Sequence, residues 1–231
     1  MATLIVAVVV ALVTGLLFSN DLVLTVVIVV AAVAAWFLIQ RAPKGFAPGQ
    51  IEESPVSRFL FSSGEGSIIW LPVRIALGWA WVQAGWEKLQ SPGWMAGGQL
   101  AGFWAGALKS ATGAHPSVGF EWYAGFLQGL VSSGAQTWFA PFIAVAEFAV
   151  GVGLILGLFT GIAAVGAAVM NLNYMLAGSA GVNPLYFVLG MFLVLAWRNA
   201  GWIGLDRFLL PALGTPWQPQ PAKQKAEAAA D

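Results

Sequence analysis

Long apolar runs broken by short polar interruptions run through most of this chain. A helix that crosses the hydrocarbon core of a bilayer needs about 20 apolar residues. Six stretches approach that length: 3–18, 22–39, 68–89, 138–158, 160–177 and 184–197. Only Ser19-Asn20-Asp21 separates the first two, which predicts a tight helical hairpin. The first run has no basic residues ahead of it and no clear small-x-small cleavage site, so a retained helix is expected rather than a signal peptide. Asn183 followed by Pro184 reads as an N-cap and first helical position for the sixth run.

The connection 90–137 is patterned too. Leu100, Phe103, Trp104, Ala107 and Leu108 recur at helical spacing, as do Tyr123, Phe126, Leu127, Leu130 and Val131. Two amphipathic helices are predicted, either lying at the membrane interface or capping the bundle. Trp70, Trp94, Trp138, Trp197 and Trp202 fall near span ends, where indole rings anchor at the headgroups.

Composition agrees with a membrane protein. Hydrophobic residues make up 59% of the 231, and charged residues 9%, against about 25% in soluble domains. Ten Lys+Arg balance ten Asp+Glu, so there is no basic field for nucleic acid. The chain has no Cys and one His, His115 in an expected exposed loop, which leaves no ligand set for a thiolate metal site or bis-His haem. Neither metal nor haem is expected.

Lys and Arg distribute unevenly about the six spans. Arg41, Lys44, Arg58, Arg198, Arg207, Lys223 and Lys225 fall on one side, Lys88 and Lys109 on the other. The positive-inside bias then predicts cytoplasmic termini and an extracytoplasmic 90–137 segment. The expected fold is an all-α polytopic bundle. It comprises an N-terminal transmembrane hairpin at 1–40, a cytoplasmic loop at 41–66, a helical membrane core at 67–214, and a disordered cytoplasmic tail at 215–231.

Candidate chemistry lies where polar residues interrupt the spans. An ionisable residue at mid-membrane costs about 2.5–3.5 kcal/mol and generally faces the bundle interior. Arg74 falls about 10 Å into the third span, and Glu147 about 14 Å into the fourth, at roughly 1.5 Å per residue. Gln83 lies in the third span, and Asn171 and Asn173 in the fifth. Arg74, Gly78, Trp81, Gly85 and Lys88, spaced 4, 3, 4 and 3 apart, form one stripe. Glu147 and Gly151 share a face of the fourth span, as Asn171 and Tyr174 do on the fifth. If these faces converge, the interior holds a polar pocket with aromatic walls. Two readings of Arg74 and Glu147 remain open: they surround a ligand, or they neutralise one another and fix the packing.

Arg74-x₃-Gly78-x₆-Gly85-x₂-Lys88 resembles the first helix of the DoxX/DoxD family of membrane proteins. Glu147 followed by Gly157-Leu158-Phe159-Thr160 is similar to the family's fourth-span segment, and Gly201-Trp202-Ile203-Gly204-Leu205-Asp206 to its closing turn, so the likeness spans about 66–214. The resemblance implies a four-helix core in a prokaryotic inner membrane. It also implies an oxidoreductase subunit like DoxD, which couples oxidation of thiosulfate, or a related small sulfur anion, to reduction of membrane quinone. The chain departs from the family pattern in its extra N-terminal hairpin and in Gly161, where many relatives carry Arg. A DoxA-like soluble region is absent from it, so a partner subunit of that kind, or a homo-oligomer, is implied.

On that reading Glu147 and Arg74 are the candidate catalytic residues, with Glu147 donating protons to reduced quinone. Lys88, Asn171, Asn173 and Gln83 are candidates for binding the sulfur anion, and Trp81, Trp86 and Tyr174 for walling the quinone. Two other functions fit the same residues: a non-catalytic anchor subunit of a larger oxidoreductase, and a small-anion carrier.

Overall fold

The computed structural model describes residues 53–110 and 118–214, together with scattered positions between 5 and 37, all of them helical. The spans expected at 3–18 and 22–39, the His115 loop and the tail at 215–231 lie largely or wholly outside the described residues. Two compact units are distinguished, one of residues 1–53 with Phe120–Ala124, the other of the remaining residues. In the first unit, Trp36 meets Phe37 edge-on at 5.0 Å, and Trp122 meets Tyr123 at 5.4 Å. The second unit carries the site.

The described residues form helices and no strand: α1 Pro55–Ser62, α2 Ser67–Gln90, α3 Pro92–Met95, α4 Gly98–Ser110, α5 Glu121–Ser132, α6 Gln136–Leu156, α7 Thr160–Leu176, α8 Asn183–Leu195 and α9 Asp206–Ala212. The sequence predicts a cytoplasmic loop over 41–66, yet α1 lies within it. Ser54 starts that helix, its Oγ accepting from the Ser57 amide at 3.1 Å, with Pro55 at the first helical position. Ser63 then joins α1 to α2: its Oγ donates to the Phe59 carbonyl at 2.7 Å and accepts from the Gly66 amide at 3.0 Å.

Four helices build the core. α2 packs along α6, α7 along α8, and α6 and α8 link the pairs by packing on α7 and α2 respectively. α2 and α6 are long and apolar enough to cross a membrane; α7 and α8 are apolar but shorter. Large apolar side chains point outward from all four, among them Trp79, Phe142, Ile162 and Leu185. Outward-facing apolar surface of this extent needs lipid rather than water around it.

The α2–α6 seam depends on small residues. A Cβ on Gly85 would lie 2.5 Å from the Phe148 amide nitrogen, and one on Gly78 would lie 2.9 Å from the Gly151 carbonyl oxygen. Both are backbone atoms that cannot step aside. On α7, Ala163, Ala164, Ala167 and Ala168 form the buried face. Such seams let helix backbones approach closely, which substitutes for the weak hydrophobic drive inside lipid.

α3 and α4 close one end of the bundle against α6, with Leu100, Trp104 and Ala107 buried. The capping reading therefore holds for α4. Two of the expected interfacial tryptophans are structural instead. Trp70 is buried between Phe61 and Phe192 and donates to the Leu60 carbonyl at 2.6 Å. Trp94 is buried and donates to the Ala140 carbonyl at 2.8 Å. Trp138 and Trp197 are exposed, as anchors are. Asn183 is not a cap: Val182 is the N-cap, and the Asn183 amide reaches back to the Ser179 carbonyl at 2.8 Å, bracing the α7–α8 turn.

Candidate functional site

The glycine seam fixes which residues of α2 and α6 face each other. Gly85 lies against Ala144 and Phe148, and Gly78 against Gly151 and Leu154. This register places Glu147 within reach of Lys88. Lys88 Nζ sits 2.6 Å from Glu147 Oε2, with the carboxylate side chain fully buried and the lysine side chain 20% exposed. The other carboxylate oxygen, Oε1, accepts from the Tyr174 hydroxyl at 2.6 Å. The ammonium also lies 5.0 Å from the Trp94 ring centroid and 5.9 Å from that of Tyr174, so two aromatic faces share its charge. Phe103 of α4 holds the Tyr174 ring edge-on at 6.0 Å.

This triad lines a cavity of about 250 Å³. Ala80, Trp81 and Ala84 of α2 form one wall, and Asn171 of α7 another. Ser179, Val182, Asn183 and Tyr186 close it from the α7–α8 turn and α8. Trp81 Nε1 and both ends of the Asn171 amide are buried with no hydrogen-bond partner. A buried polar group without a partner costs about 1–3 kcal/mol. Trp81 and Asn171 both line the cavity, and a polar guest that reached these three atoms would satisfy them.

Arg74 is elsewhere. It lies fourteen residues before Lys88 on α2, about 21 Å along the axis at 1.5 Å per residue. Its guanidinium donates to the carbonyls of Ala200 at 3.0 Å and Ile203 at 2.6 Å. Asp206 beside it caps α7, accepting from the amides of Phe159 at 2.6 Å and Thr160 at 2.8 Å. Asn199 ties the same turn to α1 through the carbonyls of Leu60 and Ser63. Gly204 fits here because a Cβ would lie 2.7 Å from the Leu156 carbonyl oxygen. The closing turn is thus a clasp around Arg74.

Of the residues singled out in the sequence, Lys88, Glu147, Trp81, Asn171 and Tyr174 come together at the cavity, and Arg74 does not. Gln83 is exposed on α2. Trp86 is exposed and tilted against Phe148 at 5.9 Å. Asn173 is exposed on α7, its amide donating to the Val169 carbonyl at 2.8 Å. The sequence does not single out Ser179, Asn183 and Tyr186 as site residues. The one available signal was a polar, glycine-bearing turn between two apolar runs.

Residues 69–180 match the model of the DoxX family. The chain carries a DoxX-family membrane domain. The match covers α2 to α7 and the start of the following turn, and so contains every cavity residue except Val182, Asn183 and Tyr186. It stops short of the Gly201–Asp206 turn, so the family likeness is narrower than the 66–214 drawn from the sequence. No curated protein and no solved structure matches the chain. Within the DoxX domain the cavity is the place where a buried ion pair, a phenol and unpartnered hydrogen-bonding groups meet.

Proposed function

We propose that this DoxX protein is a membrane oxidoreductase subunit of the DoxD kind, and that its cavity takes the head group of a membrane quinone. The observation that carries the reading is that two residues lining the cavity hold buried, unpartnered polar groups, Trp81 Nε1 and the Asn171 amide. Quinone carbonyls are acceptors, and both groups offer N–H donors. A cavity of about 250 Å³ falls below the roughly 300–1,000 Å³ of drug-sized ligand sites and suits a single ring system.

Charge favours quinone over a sulfur anion at this site. Lys88, the one cation among the described residues lining the cavity, is cancelled by Glu147 at 2.6 Å. A dianion such as thiosulfate would face a neutral pair that includes a buried carboxylate, and its desolvation would go unrepaid. We place oxidation of thiosulfate, or a related small sulfur anion, on a DoxA-like partner subunit. Joining two thiosulfate anions through a new S–S bond releases two electrons, and turning a quinone into its quinol consumes two electrons and two protons. Glu147 and Tyr174, hydrogen-bonded at the cavity wall, are the groups positioned to pass those protons. The Lys/Arg bias supports cytoplasmic termini in a prokaryotic inner membrane.

Mass spectrometry of the chain purified in mild detergent tests this. Near-stoichiometric quinone should accompany the wild-type chain and be lost from the Trp81→Phe/Asn171→Leu double variant. In membranes that support thiosulfate-dependent quinol formation, Glu147→Gln should slow that reaction by at least about 100-fold. A wild-type chain that neither retains nor rebinds quinone would overturn the reading.

A further inference from the structure

Trp81 and Asn171, which line the same cavity, differ in hydrogen-bonding capacity. An indole N–H can only donate, whereas a carboxamide donates from nitrogen and accepts at oxygen. Trp81 is 4% exposed and Asn171 fully buried, and all three of these atoms lack partners. Because both ends of the amide are unpartnered, turning it over exchanges donor and acceptor without removing either. Both oxygens of Glu147 accept, one from Lys88 and one from Tyr174, and the Asn183 amide nitrogen donates to Ser179.

The two redox forms of a quinone differ in the same respect. The oxidised form carries acceptor carbonyls; the reduced form carries O–H donors whose oxygens accept only weakly. Resting on the quinone reading above, we propose that Asn171 and Trp81 divide the recognition of oxidation state. Asn171 holds both forms, its nitrogen donating to a carbonyl or its oxygen accepting from a hydroxyl. Trp81 favours the oxidised form, because its single N–H rewards a carbonyl more than a hydroxyl. The cavity therefore binds quinone more tightly than quinol, the order that suits a site where quinone is reduced and its product leaves.

Equilibrium binding of a short-chain naphthoquinone and of its quinol to the purified chain tests the proposal. Trp81→Phe should weaken quinone binding about fivefold, with less than a twofold effect on quinol, the size expected for one neutral hydrogen bond. Asn171→Leu should weaken both forms about fivefold and leave their ratio within about twofold. Equal loss of both forms in Trp81→Phe, or loss of one form alone in Asn171→Leu, would overturn it. Should a variant fold poorly, the wild-type chain still decides the matter. The infrared carbonyl stretch of bound ¹³C-labelled quinone must fall below that of free quinone, and an unshifted band overturns the proposal. Failure of the wild-type chain to bind either form instead removes the quinone reading on which it rests.

Discussion

Glu147 is the most consequential single residue, since it is a fully buried carboxylate whose two oxygens are both held by protein donors. Removing one member of a buried pair strands the other charge, at a cost of about 3–5 kcal/mol. Lys88→Met should therefore destabilise the chain by about 3 kcal/mol, measured by unfolding in detergent micelles. Lys88→Met combined with Glu147→Leu should recover most of that loss, because neither charge of the pair is then left stranded. An unchanged midpoint in the single variant would show the pair to be energetically idle. The sequence made Glu147 stand out but suggested Arg74 as its neighbour. Depth measured from the start of each apolar run treats α2 and α6 as ending at one level. The facing of Gly85 with Ala144 and Phe148 instead sets Gln136, the first residue of α6, beyond the end of α2, where α3 covers it. That offset brings Glu147 to Lys88, and only tertiary register reveals it.

Among the elements, the α2–α6 seam sets the geometry of the cavity, since Trp81 and Lys88 lie on one helix and Glu147 on the other. Gly85→Ala should destabilise by about 1–3 kcal/mol, as forced overpacking does, because the added methyl meets backbone that cannot move. Gly102→Ala on α4 has nothing within 4 Å of its Cβ and should be neutral or stabilising by up to about 1 kcal/mol from helix propensity alone. Thermal unfolding of the two variants side by side checks the contrast. The apolar runs located α2, α6, α7 and α8 to within two residues, since helices in lipid are written as unbroken hydrophobic stretches. The short helices α1, α3 and α9 escaped that reading. Serine caps followed by proline start α1 and α3, and α9 opens on Asp206; a hydropathy pattern carries little of such local signals.

For the molecule as a whole, the polar groups separate into two systems at different heights of the bundle: the cavity with Lys88 and Glu147, and the clasp with Arg74 and Asp206. Both were legible as polar residues out of place in oil; their separation was not, because hydropathy reports depth poorly and partners not at all. The separation yields a sharp expectation. Arg74 joins α2 to the turn after α8 through two carbonyls, and Asp206 joins that turn to the start of α7 through two amides. Asp206→Ala removes a cap worth about 0.5–2 kcal/mol and leaves Arg74 without its neighbouring carboxylate. Arg74→Met strips the buried Ala200 carbonyl of its donor, at about 1–3 kcal/mol, and the part-buried Ile203 carbonyl of its own at a smaller cost. Both variants should lower the unfolding midpoint. Neither should alter quinone affinity by more than about twofold in chains that remain folded, because no clasp residue lines the cavity. Arg74→Lys should recover only part of the lost stability, since a single ammonium cannot reproduce the planar fork that spans Ala200 and Ile203. A large change in ligand affinity with an unchanged midpoint would return Arg74 to the binding site; the reverse pattern makes it the residue that holds the helices in the register the cavity requires.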